Sequence, residues 1–319
     1  MTSGRSGDEP VGMRLAAIVP ATDAPATLER CVAAIRLAFE EPEELHVVDQ
    51  PLAIGPSRAR NIGGGLASGD ILVFVDADVA VHPDVFARIR RLFAGDAELT
   101  AVFGSYDDDP EPHGLISDFR NLLHHHVHQR GAGPASTFWA GLGAIRREAF
   151  LRAGGFDEDR FTEPSVEDIE LGMRLSANGA RIVLDPGIQG KHLKRWTFSS
   201  MVRTDLFRRG APWVQLLLEQ RSRSTSLNLG WRHRASVLAS VLLVAAIPAR
   251  QPRLAATGLV TVLVLNRSFY RLLARQRGWR LAVVGPPLHV IHHLVSVSAL
   301  PLGVAAYVRE RLRPRETSA

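Results

Sequence analysis

Near its start the chain alternates continuous apolar runs with stretches whose apolar positions recur at helical spacing. Leu15-Ala16-Ala17-Ile18-Val19 is stopped by Pro20 and reads as a first strand. Leu28, Val32, Ile35 and Phe39 then predict an amphipathic helix, and Leu45-His46-Val47-Val48-Asp49 a second strand ending in a carboxylate. Arg58-Ala59-Arg60-Asn61 leads into Gly63-Gly64-Gly65. The strand Ile71-Leu72-Val73-Phe74-Val75 follows, apolar on both sides as in a parallel sheet covered by helices. Strand, helix, strand, helix, strand is the pattern of a doubly wound α/β fold. Further on, residues 137–145 are strand-like, with Gly141 and Gly143 where a backbone or sugar could approach closely, or where a bulge sits. Gly154-Gly155-Phe156-Asp157 reads as a turn. Ser165 with Asp168 resembles a capping box, Asp replacing the usual Glu, before a helix carrying Ile169, Leu171, Met173 and Leu175.

The C-terminal part changes character. Apolar runs cover 235–249, 254–266 and 281–308, each bracketed by arginine. A spanning helix needs about 20 apolar residues, so the first two are short and the third is long enough, although Pro286-Pro287 and Pro301 interrupt it. Snorkelling arginines and local bilayer thinning accommodate short runs, so three membrane segments are expected over a buried soluble bundle. A hairpin turning at Arg250-Gln251-Pro252-Arg253 keeps the arginines of 232–234 and 267–280 cytoplasmic; the side of the C-terminus stays open. The expected division is a flexible tail (1–12), a folded domain (13–215), an interfacial linker (216–234), membrane segments (235–308) and a basic tail (309–319).

Charge follows the same division. Residues 1–200 hold 20 Lys+Arg against 29 Asp+Glu, and residues 201–319 hold 18 against 4, so the net +5 conceals halves of −9 and +14. Nucleic acid is one partner for a basic half, but long apolar runs and few aromatics for base stacking favour anionic lipid headgroups; no nucleic-acid partner is expected. A single cysteine, Cys31, excludes an internal disulfide. Nothing at the N-terminus resembles a signal peptide, so the folded domain is expected in the cytoplasm, at the cytoplasmic membrane.

Candidate chemistry starts at Asp76 and Asp78, which share one side of an extended chain at a strand end. Carboxylates that close repel unless a cation sits between them, and Mg2+ favours one or two carboxylates plus substrate phosphates. In doubly wound sheets ligands bind at the carboxyl ends of strands, where Pro20-Ala21-Thr22, Asp49 and Asp76 would gather. The glycine triplet does not match the dinucleotide fingerprint. The chain's only two lysines, Lys191 and Lys194, flank His192, pairing phosphate-suited cations with an imidazole that they favour as neutral and available to a metal. Glu167 and Asp168 are otherwise favourable charge near a helix N-terminus. His124 and His128, four apart, share a helix face without a third ligand to complete a zinc set.

Pro20-Ala21-Thr22, Ala59-Arg60-Asn61, Val75-Asp76-Ala77-Asp78, Gly154-Gly155-Phe156-Asp157, Glu167-Asp168 and His192 occur in the order seen in inverting family-two glycosyltransferases. Over roughly residues 13–215 the chain resembles their membrane-attached bacterial members. That resemblance implies a GT-A fold: a Rossmann-like, mostly parallel sheet with helices on both faces, here followed by C-terminal membrane helices. It implies a nucleotide-sugar donor held by Pro20, Ala21, Thr22, Asp49, Arg60 and Asp76, with Lys191 and Lys194 toward the diphosphate. Asp78 and His192 would hold Mg2+ or Mn2+, Asp168 would be the general base, and Trp139, Gly141 and Glu167 would line the acceptor side. The acceptor implied is a lipid or lipid-linked hydroxyl. Val48-Asp49-Gln50-Pro51 replaces the common Asp-Asp-x-Ser loop, and the QxxRW signature of processive synthases is absent, favouring transfer of one sugar. Two other readings stand beside it: a nucleotidyltransferase on a sugar phosphate, and a catalytically silent membrane adaptor.

Overall fold

The computed structural model describes residues 13–220 and 230–312; the expected N-terminal tail, the middle of the linker and the end of the basic tail lie outside them. The described strands are β1 (Leu15–Pro20), β2 (Glu44–Val48), β3 (Ile71–Val75), β4 (Val79–Val81), β5 (Leu99–Tyr106), β6 (Gly133–Ala135), β7 (Leu142–Arg146) and β8 (Arg181–His192). They form one mixed sheet in the order β2-β1-β3-β7-β5-β8-β4, with β6 added beside β8. β1 runs parallel to β2 and β3, and β5 parallel to β8, while β7 and β4 enter antiparallel.

Between the strands lie α1 (Leu28–Arg36), α2 (Pro56–Leu66), α3 (Val85–Gly95), α4 (Leu115–Arg130), α5 (Arg147–Arg152) and α6 (Glu167–Ala177). Alternation along β1 and β3 explains their unbroken apolar runs. Leu15, Ala17, Val19, Val73 and Val75 pack with Ile35, Phe86 and Phe93 on one face. Ala16, Ile18, Leu72 and Phe74 pack with Phe150, Phe156 and Leu171 on the other. The glycine triplet lies within α2, where Gly63, lacking a Cβ, lets the helix press on Ile18 of β1. Phe39 falls past the end of α1 and stands 79% exposed, so it does not extend the apolar stripe as its spacing predicts.

After the sheet come α7 (Phe198–Arg203), a π-helical turn at Thr204–Gly210, and α8 (Ala211–Glu219). The apolar runs form α9 (Trp231–Ala246), α10 (Pro252–Leu265) and α11 (Arg267–Leu312), the last kinked at Gly278, where φ is 72°. Among the described residues, α11 is the one helix long and apolar enough to cross a membrane. Its two faces do different work. Phe269, Leu273, Leu281 and Leu288 of α11 share a core with Phe119, Leu122 and Leu123 of α4, whereas Val283, Leu300 and Val304 are exposed.

Candidate active site

β3 delivers its carboxylates through a turn fixed by the backbone: Asp76 N donates to Gly141 O at 3.0 Å and Val79 N to Asp76 O at 2.9 Å. β4 then pairs with β8 so that Val79 lies opposite His192, which brings Asp78 Oδ2 to 3.5 Å from His192 Nε2. His192 is buried; its Nδ1 donates to Asn121 Oδ1 of α4 at 2.5 Å and its ring stacks on Tyr106 at 4.1 Å. Fixing the proton on Nδ1 leaves Nε2 to face Asp78. Two ligands on adjacent corners around a divalent ion stand about 3 Å apart, so this oxygen–nitrogen pair fits Mg2+ or Mn2+. No cluster of three His, Cys, Asp or Glu side chains able to hold a metal occurs among the described residues, so the remaining ligands would have to be water or substrate.

Arg60 knits the carboxylates together. Its guanidinium, 4% exposed, donates to Asp76 Oδ1 at 2.6 Å and to Glu167 Oε1 at 2.9 Å. Burial pushes Asp76 above the usual carboxylate range despite Arg60, and repulsion from Asp78 adds to the rise. Burial also raises Asp78, but the neighbouring His192 and the charge of Lys194 bring it below its ordinary value. Asp168 accepts from Ala140 N at 3.1 Å and Ile169 N at 2.8 Å. Burial, then the neighbouring Glu167 charge, raise it to about 7. Ala140 and Gly141 are thus a backbone bridge, holding Asp168 by one amide and Asp76 by the next carbonyl.

The remaining sequence-predicted residues divide. Pro20, Ala21 and Thr22 leave the end of β1 beside β2, with Ala21 N donating to Val48 O at 2.8 Å and Thr22 O accepting from Ala53 N at 2.8 Å; Asp49 stands exposed next to them. Lys194 is exposed, with Nζ 5.1 Å from the Trp196 ring and its charge acting on Asp78. Lys191 instead ion-pairs with Asp109 at 2.6 Å and Glu111 at 3.6 Å, because alternation along β8 turns it away from His192. Glu167 is 5% exposed and occupied by Arg60 and Ser165 N.

Two local expectations are corrected. α6 begins without a capping box: Ser165 Oγ donates to Arg208 O, and Ser165 N, ahead of the helix, donates to Glu167. Residues 137–141 precede β7 instead of forming strand. The space above Gly141 and Gly143 is filled by Trp139 and Phe138, whose rings come within 2.5 Å of where a Cβ would stand, so those glycines accommodate their own neighbours. Trp139 packs edge-on to Tyr106 at 4.9 Å and against His124 at 4.7 Å. His124 and His128 do share a face of α4, where they line this aromatic cluster, and His128 Nδ1 donates to Gly104 O at 2.8 Å. Tyr106 and Asn121, which clasp His192 from both sides, carry no signal in the sequence, being 86 and 71 positions away from it.

Two validoxylamine A glucosyltransferases of Streptomyces hygroscopicus, from subsp. jinggangensis (strain 5008) and subsp. limoneus, are each 31% identical over 177 residues, 46% of this chain. The chain spans about two-fifths of the length of these curated relatives, 42% and 39%. The mannosyltransferase PcManGT from Pyrobaculum calidifontis, solved with GDP-Man and Mn2+, superposes with a TM-score of 0.51 at 17% identity, over 93% of this chain and 88% of that one. That likeness concerns the fold, which is GT-A-like as the sequence predicts. The family model for glycosyl transferase family group 2 matches residues 71–307, so the chain belongs to that family.

Proposed function

We propose that this chain transfers one sugar, with inversion, from a nucleotide-sugar donor to a hydroxyl of a lipid or lipid-linked acceptor, in a single displacement with Asp168 as general base. The observation that carries this reading is the Arg60 bridge with the Ala140-Gly141 backbone, which ties Asp168 and Glu167 to the Asp76 turn. Pro20, Ala21, Thr22 and Asp49 would cradle the nucleoside, and Arg60 would hold Asp76 in place for it. Lys194, unlike the ion-paired Lys191, is free to approach a diphosphate. Mg2+ or Mn2+ held by Asp78 and His192 would supply positive charge to the departing diphosphate. Asp168, with an affinity for protons near neutrality, would take the acceptor's proton as its oxygen attacks. Trp139, Gly141 and Glu167 shape the acceptor side, Trp139 by its ring and Glu167 through Arg60.

Membrane attachment is supported by α11 and by Leu238, Val244, Val260 and Val264, large apolar side chains left exposed on α9 and α10. On this reading residues 13–215 are the catalytic unit on the cytoplasmic face, and 235–308 hold it at the bilayer.

The test is a pair of variants. Nucleoside diphosphate sugars screened by thermal shift with Mn2+ identify the donor, and nucleoside diphosphate release from it is then followed. Asp168→Asn should lower turnover by about 10²–10⁴-fold with donor affinity retained. Asp78→Ala should weaken donor binding in Mn2+. Equal loss of turnover and affinity in Asp168→Asn would overturn the base assignment, and release of pyrophosphate would mean nucleotidyl transfer.

A further inference from the structure

Away from the catalytic groups, α4 and the first leg of α11 enclose an open cleft of about 370 Å³, lined by His125, His126, Gln129, Ser268, Arg271 and Arg275, with Leu272. No carboxylate lines it. Arg271 and Arg275 are exposed and have no ion-pair partner among the described residues. The contrast with their neighbours is sharp: Arg277, two residues on, pairs with Asp109 at 2.8 Å and Asp118 at 3.3 Å, and Arg120 pairs with Asp205 at 2.8 Å. Like charges four apart on a helix repel, so an unpaired Arg271–Arg275 couple is unfavourable unless an anion sits between them.

The other wall supplies donors. His125 uses Nδ1 on Tyr106 O at 2.8 Å, which leaves the other edge of its ring for the cleft. His126 reaches Ser268 at 3.5 Å, and burial followed by the charge of Arg130 depresses it to about 4, so its imidazole is neutral at physiological pH. Position matters as much as composition. The leg of α11 before Gly278 buries Phe269 and Leu273 against α4 and turns Arg267, Arg271 and Arg275 outward, directly after the exposed apolar α10. This placement rests on the membrane attachment proposed above: Arg271 and Arg275 stand close to where headgroups would lie, next to the exposed apolar side chains of α10.

We propose that this cleft is a binding site for a phosphodiester anion, the headgroup of an acidic membrane lipid, gripped by the Arg271 and Arg275 guanidinium forks. Forked donors match phosphate oxygens two at a time, and the imidazole and amide groups satisfy the remainder. The site is separate from the sugar-transfer machinery, and its test reads binding rather than transfer.

The full chain in neutral detergent is titrated by calorimetry with dihexanoyl-phosphatidylglycerol below its micelle-forming concentration, and separately with inorganic phosphate. Saturable lipid binding is expected, with Arg271→Ala/Arg275→Ala weakening it about 30-fold, as for two cations at an anionic surface. Arg271→Lys/Arg275→Lys, which keeps charge and loses the fork, should fall between. Arg309→Ala/Arg311→Ala removes the same charge elsewhere on α11 and should leave binding intact. Thermal unfolding and donor hydrolysis by each variant report folding and the catalytic reading independently. Inorganic phosphate binding as tightly as the lipid would assign the cleft to a soluble phosphate and overturn the headgroup source. Lipid binding that is absent, unchanged in the alanine pair at 271 and 275, or equally lost in the pair at 309 and 311 would overturn the site.

Discussion

Asp168 is the side chain whose chemistry depends most on its surroundings. A carboxyl in water is ionised well below neutrality, but here burial and the Glu167 charge raise it to about 7, while two backbone amides hold it in place. The active form of a general base is the deprotonated one. Turnover should therefore fall as pH drops through about 7 and level off above it, and the acid limb of a kcat/KM profile measures this directly. A limb near the ordinary carboxylate value would mean that the proton goes elsewhere. Arg60 sets the boundary of this behaviour, since it offsets the charges of Asp76 and Glu167 on one side and leaves Asp168 without a hydrogen-bonded cation.

What puts Asp168 there is the fit of α6 against the chain before β7. A Cβ on Gly172 would meet Phe138 N at 2.1 Å and Thr137 C at 2.4 Å, so the helix rests directly on backbone that leads to Ala140. Gly172→Ala should push α6 outward, lengthen the Asp168–Ala140 hydrogen bond and cost about 1–3 kcal/mol, more than the better helix propensity of alanine returns. Unfolding by denaturant and turnover should fall together in this variant. Such contacts explain which elements could be read in the sequence. β1 and β3 were legible because both faces are buried, and the Asp76 turn because it ends such a strand. The start of α6 was not, because Glu167 answers to Arg60, 107 positions away, rather than to its own helix end. Likewise Lys191 and Lys194 look equivalent until β8 is known to continue through His192, whose alternation separates them.

In the assembled molecule α4 belongs to both halves. Asn121 and the ring cluster of His124 face the His192 side, while Phe119 and Arg120 face the C-terminal helices. Arg120, Asp205 of the π-helical turn and His292 of α11 form a buried chain of 2.8 Å and 2.9 Å contacts, and burial is outweighed by Arg120 and His292 in holding the Asp205 carboxyl low. Asp205→Ala leaves Arg120 buried without its counter-charge and should cost about 3–5 kcal/mol, read as a lowered unfolding midpoint in detergent. An undiminished midpoint would mean that the two halves are joined by their apolar contacts alone. The buried thiol of Cys31 has a practical sequel. Fully enclosed, touching the carbonyl of Asp76 and driven to about 12 by burial and the two nearby aspartates, it is closed to alkylating reagents in the native state. The natural chain therefore serves unmodified as a labelling background, and a cysteine substituted for exposed Trp231 or Trp279 gives a single addressable position for fluorophores or spin probes, at the start of α9 or just past the kink of α11.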